Sequence, residues 1–263
     1  MKKAWVFDAP HYQSITQARL RFLETFLPEL IRQNKLSTAL DAGCGLGDFS
    51  AYLNLCGLQT TGIDGRATNI TEAQQRYAQI VFQTCDIEHP EVKQLGTFDL
   101  TLCFGLLYHL ENPLAALRNL HSLTSNVLLI ETMILPGEQP LLGLVEEMKT
   151  EDQGMQYIAL IPSEPMLIKL LYQVGFPCVY RCRQIPDHSD FQQTRSQHRR
   201  RAIIIAAKTP LRLPFCELAP EPSAGVNWAR PSFRSLVGRQ KRLLQAAQQR
   251  LAKLVASVGA ARR

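Results

Sequence analysis

Along residues 1–208, short and almost wholly apolar runs alternate with longer stretches in which apolar residues recur every three or four positions. The short runs read as strands buried on both faces and the longer ones as amphipathic helices crossing over them, the rhythm of a parallel sheet with helical crossovers. Strands are predicted at "STALDAG", "QTTGID", "IVFQTCD", "FDLTLCFG", "NVLLIETMI", "PCVYRC" and "RRAIIIAAK", seven in all. A leading helix is predicted over residues 15–33, where Ile15, Leu20, Leu23, Phe26, Leu27 and Leu30 share a face and Pro28 breaks or kinks the run. Further helices are predicted over residues 47–56, 68–78, 113–122 and 164–174. The last two open on the start signals Asn112-Pro113 and Ser163-Glu164-Pro165. Between Gly175 and Lys208 two strands follow one another without a strong helix, so the sheet is expected to end in an antiparallel pair. The fold class is α/β, a doubly wound seven-stranded sheet.

Beyond residue 208 the pattern changes. Residues 209–232 are rich in proline and read as a linker, which bounds a domain over residues 1–208. From Leu236 the apolar residues Val237, Leu244, Leu251 and Val258 recur at sevens, with Leu243, Ala247 and Leu254 on the same face, so residues 233–260 are expected to form an amphipathic helix within a tail spanning 233–263. Charge divides at the same place. All 23 acidic residues lie at or before Glu221, leaving −3 up to Glu221 and +9 beyond it, within a total of +6. Such a helix suits self-association or a protein partner; peripheral contact with an anionic membrane is a second reading, and nucleic acid, which needs no apolar stripe, a weaker third.

Composition narrows the class. With 46% hydrophobic residues in 263, the chain can bury a substantial core. The start, "MKKAWVFDAP", is too short in apolar residues for a secretory or membrane-spanning segment, so a cytoplasmic protein is expected, peripheral at most to a membrane. The seven cysteines are scattered and mostly set in apolar runs, the look of reduced buried thiols. Cys178 and Cys182 have no second pair or histidine cluster nearby, and no metal site is expected.

The candidate chemistry starts at "TALDAGCGLGDFSAYL", residues 38–53. A strand ending at Asp41, then Gly43, Gly45 and Gly47 on alternate positions, then a helix, make a turn whose backbone a ligand can approach with no Cβ in the way. Such turns bind dinucleotides, phosphates or nothing at all. The second strand ends in Asp64 followed by Gly65, where a carboxylate can accept from both hydroxyls of a ribose. The third ends in Asp86 and Ile87, suited to an adenine amine and an adenine face. Asp41 stands where a pyrophosphate would be repelled, which favours a cationic ligand bearing an amine.

In "LDAGCGLG", "GIDG", "CDIE" and "FDLTLCFGLLYHLENP", taken in order, residues 38–135 resemble the cofactor half of class I S-adenosylmethionine-dependent methyltransferases. The resemblance implies a Rossmann-like methyltransferase sheet and S-adenosylmethionine as cofactor. It places the backbone of Gly43, Cys44 and Gly45 against the methionine arm, Asp64 on the ribose, Asp86 facing the adenine, and Phe104 with Gly105 near the sulfonium or acceptor. The runs "LLYHLENPLAAL", "LLIETMI" and "IPSEPMLIKLLYQVGF" are similar to the catalytic domain of bacterial tRNA wobble-uridine carboxymethyltransferases and their relatives. Those enzymes carry a sizeable domain before this one, where the present chain has fewer than forty residues, so the fold and group transfer from a sulfonium are what is carried over. The function expected is methyl transfer to a small molecule or glycan. Alternatives are tRNA modification or a catalytically idle cofactor-binding subunit.

On the acceptor side, Tyr108 and His109 follow the fourth strand, where open α/β sheets bind ligands, and His109 suits a general base or a pocket hydrogen bond. Glu131 after "NVLLI" is a second candidate for acceptor contact, and His11 and Tyr12 are candidates to cover the cofactor. Residues 136–163 form an inserted lid in which Met148, Met155, Tyr157 and Leu160 offer an apolar wall or ordinary core. Arg195, Arg199, Arg200 and Arg201 precede or open the last strand as a solvated run, unless one faces inward and meets an anionic acceptor.

Overall fold

A computed structural model of the chain describes residues 4–150, 153–193 and 198–223. The helix expected over 233–260 and Arg195 lie outside the described residues. Two helices lead, α1 (Pro10–Glu24) and α2 (Leu27–Asn34), followed by β1 (Thr38–Ala42), α3 (Asp48–Leu55), β2 (Gln59–Asp64), α4 (Ala67–Arg76) and β3 (Val81–Thr84). Then come β4 (Phe98–Phe104), α5 (Pro113–Leu123) and β5 (Thr124–Met133). A hairpin of β6 (Leu142–Glu146) and β7 (Ile158–Pro162) precedes α6 (Glu164–Gln173), β8 (Cys178–Cys182), β9 (Arg201–Ala207) and β10 (Cys216–Leu218). The leading helix breaks at Thr25 and Phe26 rather than at Pro28, because proline is tolerated in a first helical turn and Pro28 sits in the first turn of α2.

The main sheet runs β3-β2-β1-β4-β5-β9-β8-β10. Pairs from β3 to β5 are parallel, whereas β9 is antiparallel to both β5 and β8. The α/β sheet with an antiparallel end is therefore as expected, with one strand more. That strand, β10, pairs antiparallel with the outer edge of β8. It falls within the stretch expected to be a linker, and residues 209–222 pack as part of the body. Leu211 and Ala219 are buried, the Leu211 amide donates to the Tyr180 hydroxyl at 2.8 Å, and the Ala219 amide donates to the Val179 carbonyl at 2.8 Å. Prolines 214 and 220 flank the strand without interrupting it, which is where an edge strand tolerates them.

Alternation along the strands divides the core into two layers. On β5, Val127 and Leu129 pack with Phe22, Leu23, Leu27 and Leu53 of the α1, α2 and α3 face, while Leu128 and Ile130 pack with Leu117, Leu120, Leu167 and Leu171 of the α5 and α6 face. The period of two then puts Glu131 and, on β9, Arg201 toward the α1 side. Among the described residues no helix is long and apolar enough to cross a membrane. Cys178 and Cys182 share a core face, and Cys182 Sγ lies 3.1 Å from Cys216 Sγ across the β8–β10 pair.

Loss of buried Leu211 alone costs about 2 kcal/mol. A chain ending at Lys208 is therefore expected to melt several degrees below one ending at Ser223, as measured by thermal denaturation; equal midpoints would restore the boundary at residue 208.

Candidate active site

The strand order reverses beside β1, whose neighbours β2 and β4 carry the chain to opposite sides, and a crevice opens at the carboxyl ends there. It holds a cavity of about 380 Å³. The turn after β1 forms its floor. Gly43, Gly45 and Gly47 all have positive φ, of 74°, 54° and 93°, and the amides of Gly43 and Cys44 donate to the Ile63 carbonyl at 2.8 and 2.9 Å. The three glycines serve different ends. A Cβ on Gly43 would stand 2.9 Å from the Leu106 side chain, and one on Gly47 would stand 2.9 Å from Phe82. Gly45 faces open space, its nearest neighbour being Phe7 at 3.9 Å.

Gly43, Cys44 and Gly45 line the cavity, as do Asp64 and Gly65 from the end of β2, Asp86 and Ile87 after β3, and Phe104 with Gly105 from β4. Tyr108 and His109 complete the series. Two residues expected there do not line it. Asp41 is buried beneath the turn and accepts from the Ser50 hydroxyl at 2.6 Å, because the alternation of β1 points it at α3. Gly47 packs against Phe82 and Tyr77 instead of facing a ligand. Asp64 Oδ2 accepts from the Gly45 amide at 3.1 Å, and Oδ1 from the Arg66 amide at 2.8 Å and from Asn69 at 3.2 Å. Burial raises its pKa despite these donors. Asp86 Oδ1 accepts from the Glu88 amide at 2.9 Å, which fixes the loop after β3.

The helix pattern hides one further wall residue. Arg19 occupies a core position of α1, four residues from both Ile15 and Leu23, and is buried and cavity-lining. Its guanidinium lies 3.6–3.9 Å from where a Cβ on Gly105 would stand. Arg19 Nη2 is 2.6 Å from Glu131 Oε2, close enough for an ion pair but out of line for a hydrogen bond, and Nε has no hydrogen-bond partner among the described residues. An arginine on an apolar stripe was the signal in the sequence, since such a group is buried only beside an anion.

A second cavity of about 650 Å³ is lined by Tyr12, Tyr108 and His109, which also line the first, and by His11, Met133, Met148, Ile161, His188 and Arg201. Arg201 thus faces inward. Its Nη1 donates to Glu131 at 3.1 Å, Nη2 to the Tyr108 hydroxyl at 3.2 Å and Nε to Asp190 at 3.4 Å. Burial opposes its charge, but Glu131 and Tyr108 outweigh burial and the net pKa shift is upward. Two carboxylates already hold this cation, so an anionic acceptor does not follow from its position. Arg199 turns instead to Glu164, and Arg200 is largely exposed.

The inserted segment is the β6–β7 hairpin. Gln153, Gly154, Met155 and Gln156 close over the first cavity, tied down by Arg66 Nη2 donating to the Gln153 carbonyl at 2.6 Å. Glu147 carries the other tie. Its Oε2 accepts from the Gly154 amide at 2.7 Å, and its Oε1 lies 2.5 Å from His109 Nδ1. The His109 ring also packs against Tyr108, with centroids 4.0 Å apart and the planes tilted by 44°. Met148 is 73% exposed at the rim of the second cavity and Met155 lies over Gly65, so the apolar wall expected from these two is partly a rim.

The profile of the methyltransferase domain family matches residues 12–180, and the chain belongs to that family. Ubiquinone biosynthesis O-methyltransferase of Albidiferax ferrireducens is 28% identical over 40% of this chain and 41% of its own. The tRNA U34 carboxymethyltransferase of Edwardsiella ictaluri is 30% identical over 39% of this chain and 32% of its own. The matched stretch spans less than half the length of either relative. Magnesium protoporphyrin IX methyltransferase from Synechocystis PCC 6803, crystallised with S-adenosylmethionine, shares the fold with a TM-score of 0.51 at 20% identity, covering 80% of this chain and 87% of that one. The family expected from the four motifs is the family found.

Asp41 gives a pH test. Burial pushes its carboxyl up from 3.8 to about 7, against the Ser50 hydrogen bonds that lower it. Between those values the unfolded chain ionises while the folded chain keeps the proton, so the contribution of Asp41 to stability is fully present below about pH 4 and is lost as pH rises toward 7. At about 1.4 kcal/mol per unit, the loss amounts to a few kcal/mol. In Asp41→Asn that decline is expected to vanish, as read from melting midpoints at pH 5 and pH 8; parallel curves for the two proteins would contradict it.

Proposed function

We propose that the chain transfers a methyl group from S-adenosylmethionine to a hydroxyl oxygen of a small-molecule acceptor, the donor lying in the first cavity and the acceptor in the second. The observation that carries this reading is that Tyr12, Tyr108, His109 and Gln153 line both cavities and form their common boundary. Bound there, the donor supplies an electrophilic methyl on a sulfonium. The residues fit it. Gly45 leaves the backbone bare, Asp64 offers carboxylate oxygens to a ribose, and Asp86 with Ile87 offers an acceptor and an apolar surface to a base. Arg19, a buried cation with an unsatisfied Nε, supplies the partner for the carboxylate of an amino-acid arm.

What remains for the protein is alignment and proton removal. Glu147 engages His109 Nδ1, which leaves Nε2 as the ring nitrogen able to take a proton from an acceptor hydroxyl. The hydroxyl oxygen then forms the new bond to the methyl carbon as the carbon–sulfur bond breaks and its electron pair stays on sulfur. Oxygen as the accepting atom is supported by the name of the ubiquinone relative and by the presence of this histidine–carboxylate pair at the boundary.

Calorimetry with S-adenosylhomocysteine tests the donor: wild type is expected to bind and Gly45→Val, with a side chain at a φ of 54° pointing into the cavity, is not. Undiminished affinity in Gly45→Val would refute the donor assignment. For the chemistry, labelled methyl donor with a panel of hydroxylated acceptors identifies turnover. On such an acceptor His109→Ala is expected to lower kcat by about a hundredfold or more while S-adenosylhomocysteine affinity stays near wild type. Equal losses in both would make His109 a binding residue only.

A further inference from the structure

Glu131 is fully buried and is approached by two arginines from different elements, Arg19 of α1 on the donor side and Arg201 of β9 on the acceptor side. Each arginine lines one cavity and not the other. Their side chains are 7% and 12% exposed, so water screens neither pair effectively. Asp190 supplies the remaining counter-charge to Arg201. We infer that Glu131 is a positioning residue that couples the two cavities: its single negative charge is divided between the arginines, and the share taken by Arg201 determines how much positive charge Arg19 presents to the donor's carboxylate. This rests on the donor reading above and extends it to the link between sites.

The direction follows from the charges. With Arg201 in place, Glu131 is held from both sides and Arg19 keeps cationic character toward the cavity. Without Arg201, the carboxylate turns wholly to Arg19 and neutralises it. An acceptor group that draws Arg201 away from Glu131 acts in the same direction, and by linkage the bound donor weakens that acceptor by the same factor. Only the amino-acid arm of the donor is involved, because Arg19 stands beside Gly105 while the adenosine end is served by Asp64 and Asp86.

Calorimetry with two ligands separates this from general damage. S-adenosylhomocysteine carries the arm and 5′-methylthioadenosine lacks its carboxylate and amine. In Arg201→Met and Arg201→Gln, S-adenosylhomocysteine affinity is expected to fall about five- to tenfold while methylthioadenosine affinity holds, and Arg201→Lys is expected to restore most of the loss. In a Glu131→Gln background the same Arg201 changes are expected to have no further effect on S-adenosylhomocysteine. Equal falls for both ligands, an unchanged S-adenosylhomocysteine affinity, or the same fall with Glu131 replaced would each overturn the bridge while leaving the donor assignment standing. Failure of wild type to bind S-adenosylhomocysteine would overturn that assignment and the bridge with it.

Discussion

The site exists because β1 is paired in parallel on both sides and the chain leaves it in two directions. A parallel connection must cross over the sheet, so after β1 the crossover helix goes to one side, while the chain that later returns through β4 and β5 builds the other. Nothing in that winding can cover the carboxyl ends of β1 and β4. The crevice is left open by topology, and the glycine turn, Asp64, Asp86 and the β4 terminus all inherit their positions from it. Coverage comes from outside the winding: α1 with its preceding residues on one side and the β6–β7 hairpin on the other.

Burying charge around such a crevice is costly, and the chain meets the cost in three ways. Asp41 keeps its proton into the neutral range beneath the turn. Asp64 is surrounded by two backbone amides and Asn69. Glu131 is flanked by arginines from an N-terminal helix and a C-terminal strand, which draws the two ends of the domain onto one carboxylate. These solutions differ because the neighbours differ. A glycine turn offers amides, whereas Glu131 lies on a strand paired on both sides, whose amides are committed to the sheet, and can be balanced only by side chains.

Much of this was legible in the order of residues. The seven strands and their intervening helices follow from periods that burial on two faces imposes, and the motifs at the ends of β1, β2, β3 and β4 are local enough to be read directly. What was not legible depends on partners distant in sequence. Arg19 looks like a surface residue until its stripe is drawn, and Glu131 explains it from more than a hundred positions away. Asp41 looks like a ligand contact in the sequence because chain position alone does not say that Ser50 lies across from it. The hairpin in residues 142–162 alternates weakly, with most of β6 exposed, so no period announced it. The three residues of β10 sit among prolines, where composition argues for a linker and only a free edge on β8 makes a strand.

That edge strand bears on solubility. An open sheet ends in two rows of unpaired amides and carbonyls, and long rows invite pairing with another molecule. Here β10, three residues long, covers part of the flank of β8, and the opposite margin is β3, four residues long. Both margins carry an outward apolar residue, Leu218 and Val81, more than half exposed. The brevity of the strands, with Pro214 and Pro220 closing one of them, therefore leaves little unpaired backbone at either margin on which a further strand could add.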